Sequence, residues 1–426
     1  MKLYPRRNAS EKPIMGRFLC TLVGGLLALS TAYAAETTTP INLQAAISNT
    51  LSTHPELAVF ASRAQVIAGE IRQAGIADRA TINLTVEDAF GTGEQELIKS
   101  MQTTFTYTWV VQDEILDARV AAATSGQAIL KIEQQIAALD LAADTAAKYI
   151  GVLIAQERLK LQKLSVIQSE EVLANVTAKV TAGIAPVTEQ FLAKAELQRR
   201  LLAVEDALHE IKARKYALTS LWGLQHQEFT FSGDLLDIPA RPDVEMTLAR
   251  IKDTPQLQKF ATEERVLASK IALADTEATP RWQFSAGVRR LESTDDFGLV
   301  AGVSIPWGEK ASNAGTIMAL KAQQDGLLSQ YKAAEQALDA KLYVLLLELE
   351  HSYHVIETIK TGIIPELENA LTEANRAFEN GQLNYSVWSD IRNQHISAQL
   401  QLLDAYEMLH LQHIEIQRLT GTSLSS

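Results

Sequence analysis

The chain has 426 residues with 39 basic and 51 acidic side chains, a formal net charge of −12, and 47% apolar residues. That balance supplies a core but argues against a nucleic-acid partner, which calls for a basic surface. The lone cysteine, Cys20, excludes a disulfide framework within the chain.

Residues 1–34 read as an export signal. Lys2, Arg6, Arg7, Lys12 and Arg17 form a basic stretch, an apolar run follows from Phe18 to Leu29, and Ala32-Tyr33-Ala34 is a small-x-small cleavage site. Met15 offers an alternative start that leaves a signal of ordinary length. The apolar run is too short for a membrane anchor, which needs about 20 residues. Cys20 lies inside this segment, and Arg17-Phe18-Leu19 lacks the small residues expected before a lipidated cysteine. A mature chain starting at Ala35 therefore has no thiol nucleophile or thiolate ligand. It keeps 34 of the bases and 50 of the acids, a net charge of −16. Such a charge suits solubility in the periplasm, or a lumen that favours cations. No later apolar run is long enough for a membrane helix, so any crossing is made by strands.

The first half then reads helix, two strands, two long helices. Helix-forming residues fill 43–77. Ile82, Leu84 and Val86 alternate with Asn83, Thr85 and Glu87, and Phe105, Tyr107 and Trp109 alternate with Thr104, Thr106 and Thr108. Period two with one apolar face predicts a strand pair at about 80–111, joined by a polar loop at 91–100. A helix is predicted over 118–180, a break at 181–186, and a second helix to Leu221.

The second half repeats this order: a helix over 244–276, a hairpin at about 281–305 with a turn at 292–296, a helix over 311–379, a break at Asn380-Gly381, and a helix to Leu419. In the hairpin Trp282, Phe284, Ala286 and Val288 alternate with Gln283, Ser285, Gly287 and Arg289, and Leu299, Ala301, Val303 and Ile305 alternate with Val300, Gly302 and Ser304. The repeat is visible in the residues. His54-Pro55-Glu56-Leu57 returns as Thr254-Pro255-Gln256-Leu257, Gly183 matches Gly381, and Leu221-Trp222-Gly223 matches Leu419-Thr420-Gly421. Residues 35–225 and 226–426 thus form two copies of one unit, too long for a solenoid repeat.

Leu338, Leu342, Leu345, Leu349, Ile356, Ile359 and Ile363 fall close to a 3–4–3–4 spacing, with Ser352 as the weak position. That is coiled-coil packing. Pro365, after Gly362, is expected to kink or restart this helix. A helix of about 60 residues reaches about 90 Å, more than a compact domain needs. The strands by themselves fit either an ordinary soluble hairpin or a membrane barrel, whose strands need about 9–11 residues. Four strands cannot close a barrel, since the smallest membrane barrels have about eight. In a membrane, the chain must therefore oligomerise.

The duplicated unit, His-Pro-Glu-Leu near the mature start, Ser304-Ile305-Pro306-Trp307, Ala182-Gly183, Asn380-Gly381 and the Leu-x-Gly endings together resemble the TolC family of outer-membrane efflux channels over about Leu43 to Gly421. The chain is most similar to its CzcC-like cation-efflux branch. The resemblance implies a mainly α fold with a small β part: a long α-helical coiled-coil barrel and four transmembrane strands per chain. Three chains would close a 12-stranded barrel in the outer membrane and a 12-helix periplasmic tunnel. It implies a homotrimer in outer-membrane lipid, docked to a periplasmic adaptor and an inner-membrane pump of the RND type. It implies passive conduction with no enzymatic step and no cofactor. The turns at Gly183, Pro186, Gly381 and Asn384 would contact the adaptor. Asp390, nine positions after the second glycine, would form a carboxylate ring that attracts cations. Its other reading is a solvated surface acid. Val387 stands where the family often has a second acid. Thr188-Glu189 matches the family's Thr-acid pair, whose basic partner is replaced here by Leu383. The closed-state lock must therefore differ in this chain or be weaker.

Metal, drug and polypeptide cargoes are all compatible with such a duct. A soluble periplasmic coiled-coil scaffold is the alternative of another class. His351/His354 and His410/His413 each share a helix face, but no third ligand is fixed beside either pair, and amphipathic-helix histidines are the simpler reading. No phosphate loop, nucleophile elbow or zinc motif is present. Trp109 and Trp307 sit at strand ends, where interfacial aromatics gather at membranes. Core packing is the competing reading for both.

Overall fold

Two prolines divide the first helical stretch of each half. The computed structural model describes residues 40–95, 98–224, 227–307 and 313–422. The expected export signal lies outside them. The single helix expected over 43–77 is instead α1 (Leu43–Thr53) and α2 (Pro55–Ala74). Pro55 has no N–H to donate and keeps the preceding residue out of the helical region. His54 is accordingly extended, at φ −66° and ψ 127°. The second half breaks in the same way. After β1–β2 and the helix pair α3–α4 come α5 (Val244–Ala249), a 3-10 turn (Arg250–Asp253) and α6 (Pro255–Glu277), with Thr254 extended before Pro255. The repeated Pro tetrapeptides are thus helix starts, not helix interiors.

The long helices are α3 (Asp113–Thr181), α4 (Val187–Ser220), α7 (Ala314–Glu357), α8 (Ile364–Glu379) and α9 (Tyr385–Thr420). The 69 residues of α3 span about 100 Å. It starts five residues before the predicted position, because Asp113 and Glu114 favour a first turn. Pro365 restarts the α-helix as expected, standing in the first turn of α8. The helical path passes from α7 to α8 through a π-helical turn, Thr358–Ile363. Pro365 removes one donor and its ring crowds the carbonyl four residues earlier; a π turn widens the ladder at that point. The buried seam of α7 runs Leu342, Leu346, Leu349, Tyr353, Ile356, displacing Leu345 to half-burial. Ser352 is also buried, with its hydroxyl donating to Gln412 Oε1 at 2.8 Å.

Two hydrophobic clusters hold the helices together. The larger surrounds Tyr149, Trp222, Leu257, Leu349, Tyr406 and Leu409. The non-helical stretch 227–243 lies over it, with Phe231 bridged to Ile41. Burial raises the Tyr149 phenol to about 12, and its hydroxyl donates to the carbonyls of Ile41 and Ser232. The smaller cluster contains Val176, Ala193, Ala374, Phe378, Tyr385 and Trp388, near the turns after α3 and α8.

Beside the larger cluster, Arg418 of α9 pairs with Asp140 of α3 (2.6 Å) and with Glu415, which also meets Lys341 of α7 (2.7 Å). Hydrogen bonding to Arg418, reinforced by Lys341, holds the Glu415 carboxyl down to about 2 against the opposing effect of burial. A lowered folded value contributes stability above the unfolded value near 4.3 and loses it as pH falls through about 2. Glu415→Gln is expected to cost roughly 3 kcal/mol at pH 7 and to flatten the stability profile between about pH 5 and 2. Unfolding of the detergent-solubilised protein, followed by circular dichroism across that range, reads this. Superimposable profiles for variant and parent would contradict it.

The strands β1 (Thr81–Glu87), β2 (Gln102–Val110), β3 (Gln283–Leu291) and β4 (Asp296–Ser304) form one antiparallel sheet in the order β1-β2-β3-β4. The two hairpins lie within two residues of their predicted limits. Asp296 opens β4 rather than ending the turn. The β2–β3 pairing joins the two halves of the chain.

Candidate functional site: an apolar sheet face and a helical tip

The register places the apolar residues of four strands on one face. Ile82 pairs Tyr107, Tyr107 pairs Ala286, and Ala286 pairs Ala301. One step along, Leu84, Phe105, Val288 and Leu299 stand in a row. These side chains are bare: Leu299 is 91% exposed and Leu84 66%. A band of this size on a sheet is unusual for a protein surrounded by water. It is bordered toward the helices by the rings of Trp282, Phe284, Trp109 and Tyr107, with successive centroids 5.9–6.2 Å apart. At the opposite end Arg290 lies over Phe297 (5.8 Å) and pairs with Glu292 and Asp295. An apolar belt with aromatic and charged margins is the profile of a strand surface in a bilayer. Trp109 therefore belongs to the belt. Trp307, past β4, is fully exposed.

The opposite face is polar. It carries Asn83, Thr85, Thr104, Thr106, Thr108 and Ser285, with Arg289 donating to Thr104 (3.0 Å) and Gln102 (3.3 Å). Such a face lines water. β1 and β4 each have one edge without a strand partner among the described residues. In hydrocarbon those backbone groups need partners from another chain. No described helix is long and apolar enough to cross a membrane.

At the far end of the helices the two turns are built alike. Gly183 and Gly381 take the left-handed conformation, at φ +75° and +73°, which costs glycine nothing. After each glycine the chain N–H turns back onto the helix: Ile184 donates to the Lys179 carbonyl (2.9 Å) and Gln382 to the Ala377 carbonyl (2.8 Å). Pro186 precedes α4 in an extended conformation. Asn384 caps α9, its side chain accepting from the Val387 N–H at 3.0 Å. Gly183, Pro186, Gly381 and Asn384 are all exposed.

The expected Thr188, Glu189 and Asp390 are not brought together. Thr188 is exposed. Glu189 is half-buried, and its carboxylate accepts from the Tyr385 N–H at 3.5 Å, at the positive end of α9. Leu383 is half-buried beside the smaller cluster, and a backbone donor stands in for the base it lacks. Asp390 lies on the open face of α9 with Val387 three residues away, accepting only from Gln394 at 2.9 Å.

Two cations matter that the sequence reading passed over. Lys179, in the last turn of α3, donates to the Phe378 carbonyl at the end of α8, with its ammonium 3.9 Å from the Phe378 ring centre. Arg392 is buried on the seam of α9, donating to Ser165 O (3.0 Å), Ser169 Oγ (3.1 Å) and Gln168 Oε1 (3.4 Å), and lying 5.4 Å from the Trp388 ring centre. Burial, then the Arg200 charge, lowers its pKa from the ordinary value. The signal was there: Tyr385, Trp388, Arg392 and Ile396 fall at seam spacing, and a charge on a seam needs partners. Among the described residues no three His, Cys, Asp or Glu side chains are placed to hold a metal ion. His410 instead bonds the Leu235 carbonyl at 3.0 Å.

No protein-family model matches the chain. It is 24% identical over 394 residues to the cobalt-zinc-cadmium resistance protein CzcC of Cupriavidus metallidurans, covering 91% of this chain and 92% of that protein. Three solved channel structures superpose on it along nearly their whole length. For CusC the TM-score is 0.70 at 14% identity, covering 91% of this chain and 93% of that one. For the outer-membrane channel OprN it is 0.71 at 16%, covering 89% and 90%. For the open state of the MtrE outer membrane channel of Neisseria gonorrhoeae it is 0.69 at 15%, covering 90% and 89%. These likenesses establish the fold.

Proposed function

We propose that this chain is an outer-membrane efflux channel of the TolC type and that three copies form the passive exit duct of a tripartite efflux assembly; the full-length likeness to CzcC and the superposition on solved channels support this. The observation that carries this reading is the single sheet with a bare apolar face and two open edges, continuous with helices about 100 Å long. Three sheets joined edge to edge make twelve strands and leave no edge in lipid. The units 35–225 and 226–426 each supply one hairpin and one helix pair. The helices extend into the periplasm, where the tip residues Gly183, Pro186, Gly381 and Asn384 meet an adaptor, and an inner-membrane pump of the RND type drives transport. Thr188, Glu189 and Asp390 belong to the gate. Nothing chemical happens to the cargo.

The cargo we propose is divalent transition-metal cations. The full-length likeness to a cobalt-zinc-cadmium resistance protein supports this, as does an acidic chain with a carboxylate on the open face of α9. A deletion strain is expected to lose growth on cobalt, zinc or cadmium and to recover it with the gene on a plasmid. Sensitivity to hydrophobic drugs alone would reassign the duct to multidrug export. Recovery of the protein only from the soluble periplasm would favour the scaffold reading and end the channel one.

A further inference from the structure

The polar face of the sheet is uncharged along most of its length and charged at its outer end. At the levels nearest the helices it carries only neutral groups, from Gln283 through Thr108 and Ser285 to Asn83 and Gly287. The next level outward is Thr85, Thr104, Arg289 and Gly298. The outermost is Glu87, Gln102, Leu291 and Asp296. Successive levels on one face are two residues apart, about 7 Å along the strand. Among the described strand residues Arg289 is therefore the one cation on the face that lines water, one step inside two carboxylates. Its neighbour Arg290 points to the other face and is paired with Glu292 and Asp295.

The geometry holds the Arg289 charge at the wall without cancelling it. Its guanidinium donates to Thr104 (3.0 Å) and Gln102 (3.3 Å), both neutral acceptors on β2. Glu87 of β1 comes no closer than 3.9 Å, with the two side chains 39% and 53% exposed. A pair that open to water is worth little. The side chain thus leans over β2 toward β1 and is fixed there by uncharged partners. On the β4 side Gly298 leaves open space, with nothing within 4 Å of where a Cβ would stand.

Rings of charged side chains decide which ions a pore holds. Three chains closing one barrel would place three guanidinium groups just inside six carboxylates, Glu87 and Asp296 from each chain. The arginines then offset half of the acids. Without them, a divalent cation leaving the barrel would meet the full negative charge and dwell at the mouth. We propose that Arg289 is a specificity-determining residue of the duct: its guanidinium offsets the carboxylates of Glu87 and Asp296 and keeps divalent cations from lodging at the outer mouth. This rests on the duct reading and names a determinant at its exit, at the opposite end from Asp390.

The test uses the full-length protein added to one chamber of a planar bilayer. Its longest helix spans about 100 Å, and no described helix is apolar enough to cross a membrane. The barrel end therefore enters first, and the outer mouth faces the far chamber. Cobalt chloride in the far chamber probes the mouth; in the near chamber it probes the tip. Arg289→Gln is expected to lower the half-blocking cobalt concentration from the far side about three- to tenfold at 0.1 M salt, and much less at 1 M. Block from the near side is expected to stay unchanged. Adding Glu87→Gln returns the far-side value toward the parent's, and Arg289→Lys, which keeps the charge, stays at it. Gly298→Asp sets a carboxylate in the open space at the same level and is expected to act like Arg289→Gln, which guards against a variant that fails to assemble. An unmoved far-side block in Arg289→Gln, equal shifts from both sides, or a lysine variant that behaves like the glutamine one would each overturn the proposal. A parent that forms no channels ends the duct reading and this proposal with it. Channels whose far-side block ignores residue 289 end this proposal alone.

Discussion

Leu299→Arg is expected to abolish recovery of the protein from the outer membrane, while Val300→Arg leaves it there. The two residues are neighbours in β4, so the strand pleat sends them to opposite faces. Leu299 lies in the row Leu84–Phe105–Val288–Leu299 and is 91% exposed. A guanidinium there faces lipid near the middle of the apolar band. The cost for arginine at the bilayer midplane is about 2–4 kcal/mol per site, and the proposed trimer would bear it three times. Val300 pairs with Gly287 on the polar face, where the added charge meets water and Thr106. Flotation of membranes on a density gradient, followed by heat-dependent migration in gels, reads both insertion and assembly. Equal recovery of the two variants would contradict the placement of the apolar face in lipid.

The second large effect is expected at Asp390. In the proposed trimer, three Asp390 carboxylates about 5–10 Å from a pore axis would attract a monovalent cation by roughly 1 kcal/mol after screening in high dielectric. Asp390→Ala is then expected to lower the cation-to-anion permeability ratio about three- to tenfold at 0.1 M salt, and much less at 1 M. Reversal potentials in a planar bilayer measure this. Asp390 has no cationic partner among the described residues to neutralise it, only the Gln394 amide. Unchanged selectivity at low salt would take Asp390 out of the pore. Glu189→Gln serves as the comparison, because that carboxylate points to the start of α9.

Much of the architecture was readable because it rests on local periodicity. Alternation at 82–87, 104–109, 282–289 and 299–305 marked four strands whose observed limits differ by at most three residues. Gly183 and Gly381 marked the tip turns, since a left-handed residue after a long helix favours glycine. The 200-residue echo of His-Pro-Glu-Leu marked the duplication. Errors came where one residue outweighed a pattern. Pro55 and Pro255 broke helices whose composition looked continuous. Pro365 restarted the helix as its ring dictates, but the π turn that leads into it was not legible. Leu346 and Tyr353 took seam positions, a half-step from the leucine spacing, because the seam follows the helices packed against it.

The candidate site was legible in its turns and not in its ties. That Glu189 would find the Tyr385 N–H, Lys179 the Phe378 carbonyl, and Arg392 the hydroxyl and carbonyl of α3 depends on groups 196, 199 and 223–227 residues apart. Backbone donors and acceptors carry no residue identity, so no sequence pattern announces them. By itself the sequence determined what each segment is: strand, helix, turn, and one face apolar on each strand, all set by steric preferences and spacing within a few residues. Only the tertiary structure decided that β2 pairs with β3, that the bare faces merge into one belt, and that the helices close around two separate apolar clusters. Those outcomes are set by the joint burial of surfaces far apart in the chain, an energy that belongs to no single segment.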